Sequence, residues 1–209
     1  MKGLILKDLY MAAKYCRTYL LIVAAFIAVS LFVSNDFIFI FYPCLLSGMV
    51  PMTLLSYDER SKWNEYCGTM PISAAQIVSA KYIIGLICSF CVLILSAITQ
   101  AAKMNHDGVF QLGDWLNLLA MLLIISCVAV AVTLPFIFRF GVEKGRIAYY
   151  LTIAIACGVN FAAPDVINFN TDAPVLLNVV YLTLCIIAVA IYALSWYLSI
   201  VFYKKRLIK

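Results

Sequence analysis

Apolar residues run along this chain in six long stretches, 19–33, 37–55, 77–101, 115–138, 147–163 and 175–202, and polar residues are confined to the segments around them. A helix needs about 20 predominantly apolar residues to cross a hydrocarbon core about 30 Å thick. A membrane β-strand would instead alternate over segments of about 10 residues. The stretches here are continuously apolar, so the pattern predicts an all-α integral membrane protein with six transmembrane helices in a single domain over 1–209. Residues 1–18 are different. Ile5, Leu6, Leu9, Ala12, Ala13 and Cys16 share one face of a helical wheel, and Lys7, Tyr10, Lys14 and Arg17 share another. That predicts an interfacial amphipathic helix, with Lys7, Lys14 and Arg17 toward the head groups. No cleaved signal peptide is expected, because no small-x-small site follows the first apolar run.

The polar segment SYDERSKWNEYCGTMPIS, Ser56 to Ser73, interrupts this pattern most strongly. It predicts a cytoplasmic helix over 57–68 between the second and third spans. Ser56 with Glu59 three residues on reads as a capping box, and Asp58 and Glu59 fall in the first turn, where the helix dipole favours acids. Gly68 and Pro71 end the helix, and Ser73 with Gln76 starts the next one in the same way. Trp63, Tyr66 and Cys67 are spaced to share a face. Aromatic anchors dominate protein interfaces, so Trp63 and Tyr66 are the candidates to enter a partner's apolar pocket. Asp58, Glu59, Arg60 and Lys62 are the candidates for the charged rim that selects the partner.

Charge sets the orientation. With the N-terminus in the cytoplasm, fourteen of the fifteen Lys and Arg residues fall on the inner side and only Lys103 on the outer, while the acids split evenly. A bias of this kind predicts an even span count with both termini cytoplasmic. It also accounts for the net charge of +5 through anionic membrane lipid as the partner, with no nucleic acid required. The composition is 66% hydrophobic, well above the roughly 45–50% of a soluble domain. The eight cysteines lie in the spans or on the inner side, and none in an outer loop where disulfides form. Cys88-x-x-Cys91, in the middle of a span, reads as small packing residues. Pro43, Gly48 and Pro51 predict bends in the second span.

Catalytic chemistry is missing. The span cores carry no Asp, Glu, Lys, Arg or His once Lys81 is counted with the inner flank, whereas ion-driven carriers generally hold an ionisable group or a polar ion site near midplane. The single histidine, His106, lies in an outer loop, so hydrolase constellations and metal sites are not expected. The chain has no Gly-x-x-x-x-Gly-Lys-Ser/Thr loop and does not bind ATP in that way. It is therefore expected not to be an enzyme and to hold no cofactor or metal. The energy for any transport comes from another chain, and the polar segment is the surface that receives it. A membrane scaffold or regulatory protein, or an ion-coupled carrier using neutral oxygens, remains the alternative on these residues alone.

The amphipathic start MKGLILKDLY, the polar helix between spans two and three, and the run MPISAAQIVSAKYI leading through Lys81 and Tyr82 into the third span together resemble the ABC-2 type permeases, the six-span membrane subunits of bacterial ABC exporters. The resemblance implies a permease in the bacterial plasma membrane, working with two copies of an ATP-binding subunit that hold the ATP and Mg, and with a second permease chain, identical or not. The 57–68 helix would be the coupling helix docked on the ATPase, and the segment between spans five and six a partly re-entrant outer element. Small chains of this build look most like exporters of amphipathic peptides, of the phenol-soluble-modulin or antimicrobial-peptide kind, and that cargo or another hydrophobic compound is what the resemblance implies here.

Overall fold

A computed structural model of the chain describes residues 2–15, 17–30, 37–67, 69, 71–106, 108, 111–162 and 174–207. The expected outer turn at 34–36 and most of the expected re-entrant segment at 164–174 lie outside them. The described residues form helices and no strand. In chain order these are α1 Lys2–Tyr15, α2 Arg17–Ser30, α3 Phe37–Ser47, α4 Met49–Arg60, α5 Trp63–Cys67, α6 Ala74–His106, α7 Leu112–Phe140, α8 Val142–Ala162 and α9 Pro174–Leu207. Among the described residues, three helical stretches are long and apolar enough to cross a membrane: Ala74–His106, Trp115–Phe140 and Val180–Lys205. Helices α1 and α2 also pass when taken together as a pair bent by 65°.

Helix α6 is long because nothing in its 33 residues breaks it. Its start is the predicted capping box. Gln76 N–H donates to Ser73 Oγ at 3.3 Å, and Ser73 N–H donates to Gln76 Oε1 at 3.2 Å. Helix α7 ends at Gly141, whose φ of 90° few other residues adopt, and whose N–H caps the Ile137 carbonyl at 2.8 Å. The chain then reverses directly into α8. The reversal is tight: a Cβ on Gly145 would stand 2.2 Å from Ile137 Cγ1.

The expected bend in the second span is a break between α3 and α4 at Gly48. Gly48 N–H reaches back three residues to the Leu45 carbonyl at 3.0 Å instead of four, and Tyr149 of α8 donates its phenol to the same carbonyl at 2.7 Å. Tyr149 is fully buried. Its phenol supplies a second donor where the helical ladder changes step, so it pins the bend. Tyr149→Phe will keep the packing and lose this bond. We expect a stability loss of about 1 kcal/mol, read as a fall of about 2–4 °C in the melting midpoint of the detergent-solubilised protein.

The largest apolar cluster lies toward the end of the bundle where α4, α5, α6, α7, α8 and α9 converge. It contains Leu55, Cys67, Ile77, Tyr82, Leu134, Tyr149 and Tyr203 among others. Helix α1 packs on α4 and α6, with Met11 and Ala12 against Val50, Leu54 and Ile84. Among the described residues, the basic side chains of the α4–α5 corner, the start of α6 and the α7–α8 turn, all assigned to the inner side by charge counting, are at this end. Lys103 sits at the other, where its ammonium donates to the Ser30 carbonyl at 3.3 Å.

Candidate functional site: a charged corner locked to the bundle

The polar segment does not fold as one helix over 57–68. Helix α4 runs on without interruption from the second apolar stretch to Arg60, turns at Ser61 and Lys62, and restarts as the five-residue α5. Ser56 is inside α4, so no N-cap is needed there. Its hydroxyl accepts from Arg146 Nη2 at 3.0 Å. Glu59 does not close a capping box either. Its Oε2 accepts the Val142 N–H at 3.3 Å, at the N-terminus of α8, where a carboxylate is favoured. Both contacts fasten the turn between α7 and α8 onto α4. Lys62 takes a φ of 54°, a left-handed conformation that costs a lysine about 1–2 kcal/mol and produces the corner.

Four charged side chains are buried or nearly so beneath this corner. Asp8 of α1 and Asp58 of α4 are each 2% exposed, and Lys81 of α6 is 3% exposed. Lys81 Nζ lies 2.8 Å from the Asp8 carboxylate and 2.5 Å from Asp58 Oδ2. Lys7 of α1, partly exposed, completes the set at 2.7 Å from Asp58 Oδ1 and 3.3 Å from Asp8 Oδ1. The Lys7 ammonium also sits 4.0 Å over the Trp63 ring, a cation–π contact that brings in α5. Two cations and two anions make the group neutral. Each acid is shared between both cations, and both oxygens of Asp58 are engaged. Such a group contributes little net stability relative to apolar packing, but losing one member leaves a buried charge unpaired. Stacked rings of Tyr15 and Tyr57, 4.2 Å apart, add a second link between α1 and α4.

This geometry sorts the candidate residues. Asp58 faces the protein interior, where it pairs with Lys81 and Lys7, and so stands apart from the exposed rim expected of it. Trp63 is half-buried between Lys7 and the core, while Tyr66, stacked obliquely on it at 5.5 Å, is 57% exposed. Arg60 and Lys62 are exposed and Glu59 is partly so. Cys67 is buried in the core cluster. Burial raises its pKa, and Lys7 opposes the rise. Of the residues expected to hold the amphipathic helix at the head groups, Lys14 and Arg17 are exposed, whereas Lys7 turns inward. Leu6 and Leu9 face outward, and the inner face of α1 is built from Asp8, Met11 and Ala12.

Asp8 and Lys81 were not among the residues that the polar segment singled out. One sign was available: Lys81 falls inside an apolar run, and an ionisable residue there usually has a partner. The same lysine also fits the inner flank of a span as an orientation signal, which needs no partner.

Apolar helices long enough to span a bilayer, with a charged corner fixed at one end, define a helical membrane protein. The chain belongs to the ABC-2 family of transporter proteins, whose family model matches residues 3–204, almost its whole length. Members of this family are membrane transport subunits, and ATPase activity usually resides in a partner. Comparison with curated proteins and with solved structures returns no match.

Proposed function

We propose that this chain is the permease subunit of an ATP-driven exporter and that the α4–α5 corner is the point at which it takes up force. Family membership supports the first part. The observation that carries the second is the neutral Lys7–Asp8–Asp58–Lys81 group. A corner tied to α1 and α6 by a buried ion network cannot rock alone, so a push on Arg60, Lys62 or Tyr66 moves the start of a membrane-spanning helix with it. The remaining parts of the reading follow the family resemblance. The protein has six spans with both termini in the bacterial cytoplasm, and pairs with a second permease chain. Two ATP-binding subunits with ATP and Mg dock on the corner. The cargo is an amphipathic peptide or another hydrophobic compound.

The test is co-purification with candidate ATP-binding subunits of ABC transporters from the same genome, followed by ATPase and export assays in vesicles. We expect a stable complex whose ATPase rate rises with the permease present. Tyr66→Ala will weaken association about tenfold, since exposed aromatics are typical interface anchors, and will leave the melting of the permease alone unchanged. Trp63→Ala will lower both, because Trp63 also packs inward. A permease that binds no ATPase, or exports without ATP while the proton gradient lasts, would return the protein to the scaffold or carrier class.

A further inference from the structure

Arg139, in the last turn of α7, is an exposed cation that the corner does not use. Its guanidinium carbon lies 4.9 Å from the Phe140 ring centroid and 5.2 Å from that of Phe202 on α9. Among the described residues no carboxylate pairs with it. Glu143, exposed at the start of α8, forms no ion pair with it either. Two aromatic faces hold the guanidinium in place without consuming its N–H groups, which remain free to fork onto an oxyanion.

Behind Arg139 a cavity of about 300 Å³ opens between α7 and α9. It is lined by Pro135 and Phe136 on one side and Leu194, Leu198 and Phe202 on the other. It is apolar along its length and open outward, with Phe136 45% and Leu194 62% exposed. Helix α9 continues beyond Phe202 into Lys204 and Lys205, both exposed. An apolar slot that begins among span residues and ends at a fixed arginine with two further lysines matches one kind of molecule. That molecule has a hydrocarbon chain and an anionic phosphate at its head.

We propose that the α7–α9 groove is a binding site for one anionic phospholipid, with an acyl chain in the slot and its phosphate bridged by Arg139. The match is one of charge as well as shape. Arginine binds phosphate through two parallel N–H bonds, and the neighbouring lysines favour a headgroup with net negative charge over a zwitterionic one, whose own cation they would repel. The site needs only that α7 and α9 stand in a bilayer. It does not depend on ATP coupling, so it can fail while the exporter reading stands, and the reverse.

Native mass spectrometry of the delipidated chain in detergent tests the proposal. Phosphatidylglycerol, phosphatidylcholine of the same chain length, and inorganic phosphate are titrated in turn. We expect one phosphatidylglycerol to bind at least about fivefold more tightly than phosphatidylcholine, the scale set by one basic residue at a membrane surface, and inorganic phosphate not to displace it. Arg139→Gln will weaken both lipids, Arg139→Lys will restore part of that binding, and Lys204→Gln with Lys205→Gln will abolish the preference between the two. Leu194→Trp, which fills the slot from an exposed position, will weaken both lipids and leave melting unchanged. Lys103→Gln at the opposite end of the bundle will change nothing. Equal binding of both lipids by the parent, or binding that Arg139→Gln and Leu194→Trp both leave unchanged, would overturn the assignment. So would a dimer mass that dissociates on Leu194→Trp while lipid binding is unaffected, which would give the groove to a second copy of the chain.

Discussion

Lys81→Met will loosen the charged corner well before the rest of the bundle melts. The substitution leaves Asp8 and Asp58, each 2% exposed, facing one another with only Lys7 between them. Removing one partner of a buried ion pair typically costs about 3–5 kcal/mol, far more than the pair contributes over an apolar replacement. The loss falls where the lysine bridges two helices, so α1 and α4 separate from α6 first. Cys67 reports this event, because it is buried in the core cluster beside the charged group and a thiol shielded from water reacts slowly. In a variant retaining Cys67 as the only thiol, Lys81→Met will speed maleimide labelling at temperatures where the bundle is still helical by circular dichroism. A second substitution separates charge from shape. Asp58→Asn added to Lys81→Met removes one of the two opposed acids, and labelling will slow again toward the parent rate. If Lys81→Met labels no faster than the parent, the network is ornamental and the corner is held by Trp63 and the Tyr15–Tyr57 stack.

The contrast between what could be read from the residues and what could not has a physical basis. Helical class, the clustering of basic residues at one end, the capping box at Ser73 and the bend near Gly48 are set by short-range pattern, and the sequence displays short-range pattern directly. The corner depends on longer range. A helix over 57–68 was a reasonable expectation because Ser56 and Glu59 have cap spacing. But a cap is needed only where a helix starts, and α4 arrives at Ser56 already formed, with its N–H groups satisfied. Glu59 is then free for the N-terminus of α8, 83 positions away. Asp8 and Lys81 are 73 positions apart, and each has a sufficient local explanation, as a polar residue of an interfacial helix and as a topogenic flank. Burial, which only the packing of α1 on α6 creates, is what turns them into a pair. The outward-facing Leu6 and Leu9 follow from the same packing, since the side of α1 that carries Asp8 is spent on the bundle.

Pro135 raises the same issue inside the membrane, and there the answer can be measured. A proline in α7 has no N–H for the carbonyl four residues back, that of Ala131. In hydrocarbon no water replaces the missing donor. The structure fills the vacancy from α9, where Ser195 Oγ donates to the Ala131 carbonyl at 2.6 Å. With its proton committed there, Ser195 accepts from the Tyr82 phenol, and Ser199 donates to Tyr82, each at 2.7 Å. The result is a directed chain from Ser199 through Tyr82 and Ser195 to Ala131 that joins α6, α7 and α9. Hydrogen bonds between membrane helices average only about 0.6 kcal/mol and reach about 1.7, because the partners usually find substitutes. Here the carbonyl has none, so Ser195→Ala is expected at or above the top of that range, about 2 kcal/mol. Pro135→Ala restores the backbone N–H, and in that background Ser195→Ala will cost about 1 kcal/mol less, the size of an ordinary net hydrogen bond. The four proteins of this cycle, unfolded under one set of conditions, give the coupling directly. Strict additivity of the two substitutions would mean that the serine serves Tyr82 alone and that the proline's carbonyl is satisfied in some other way.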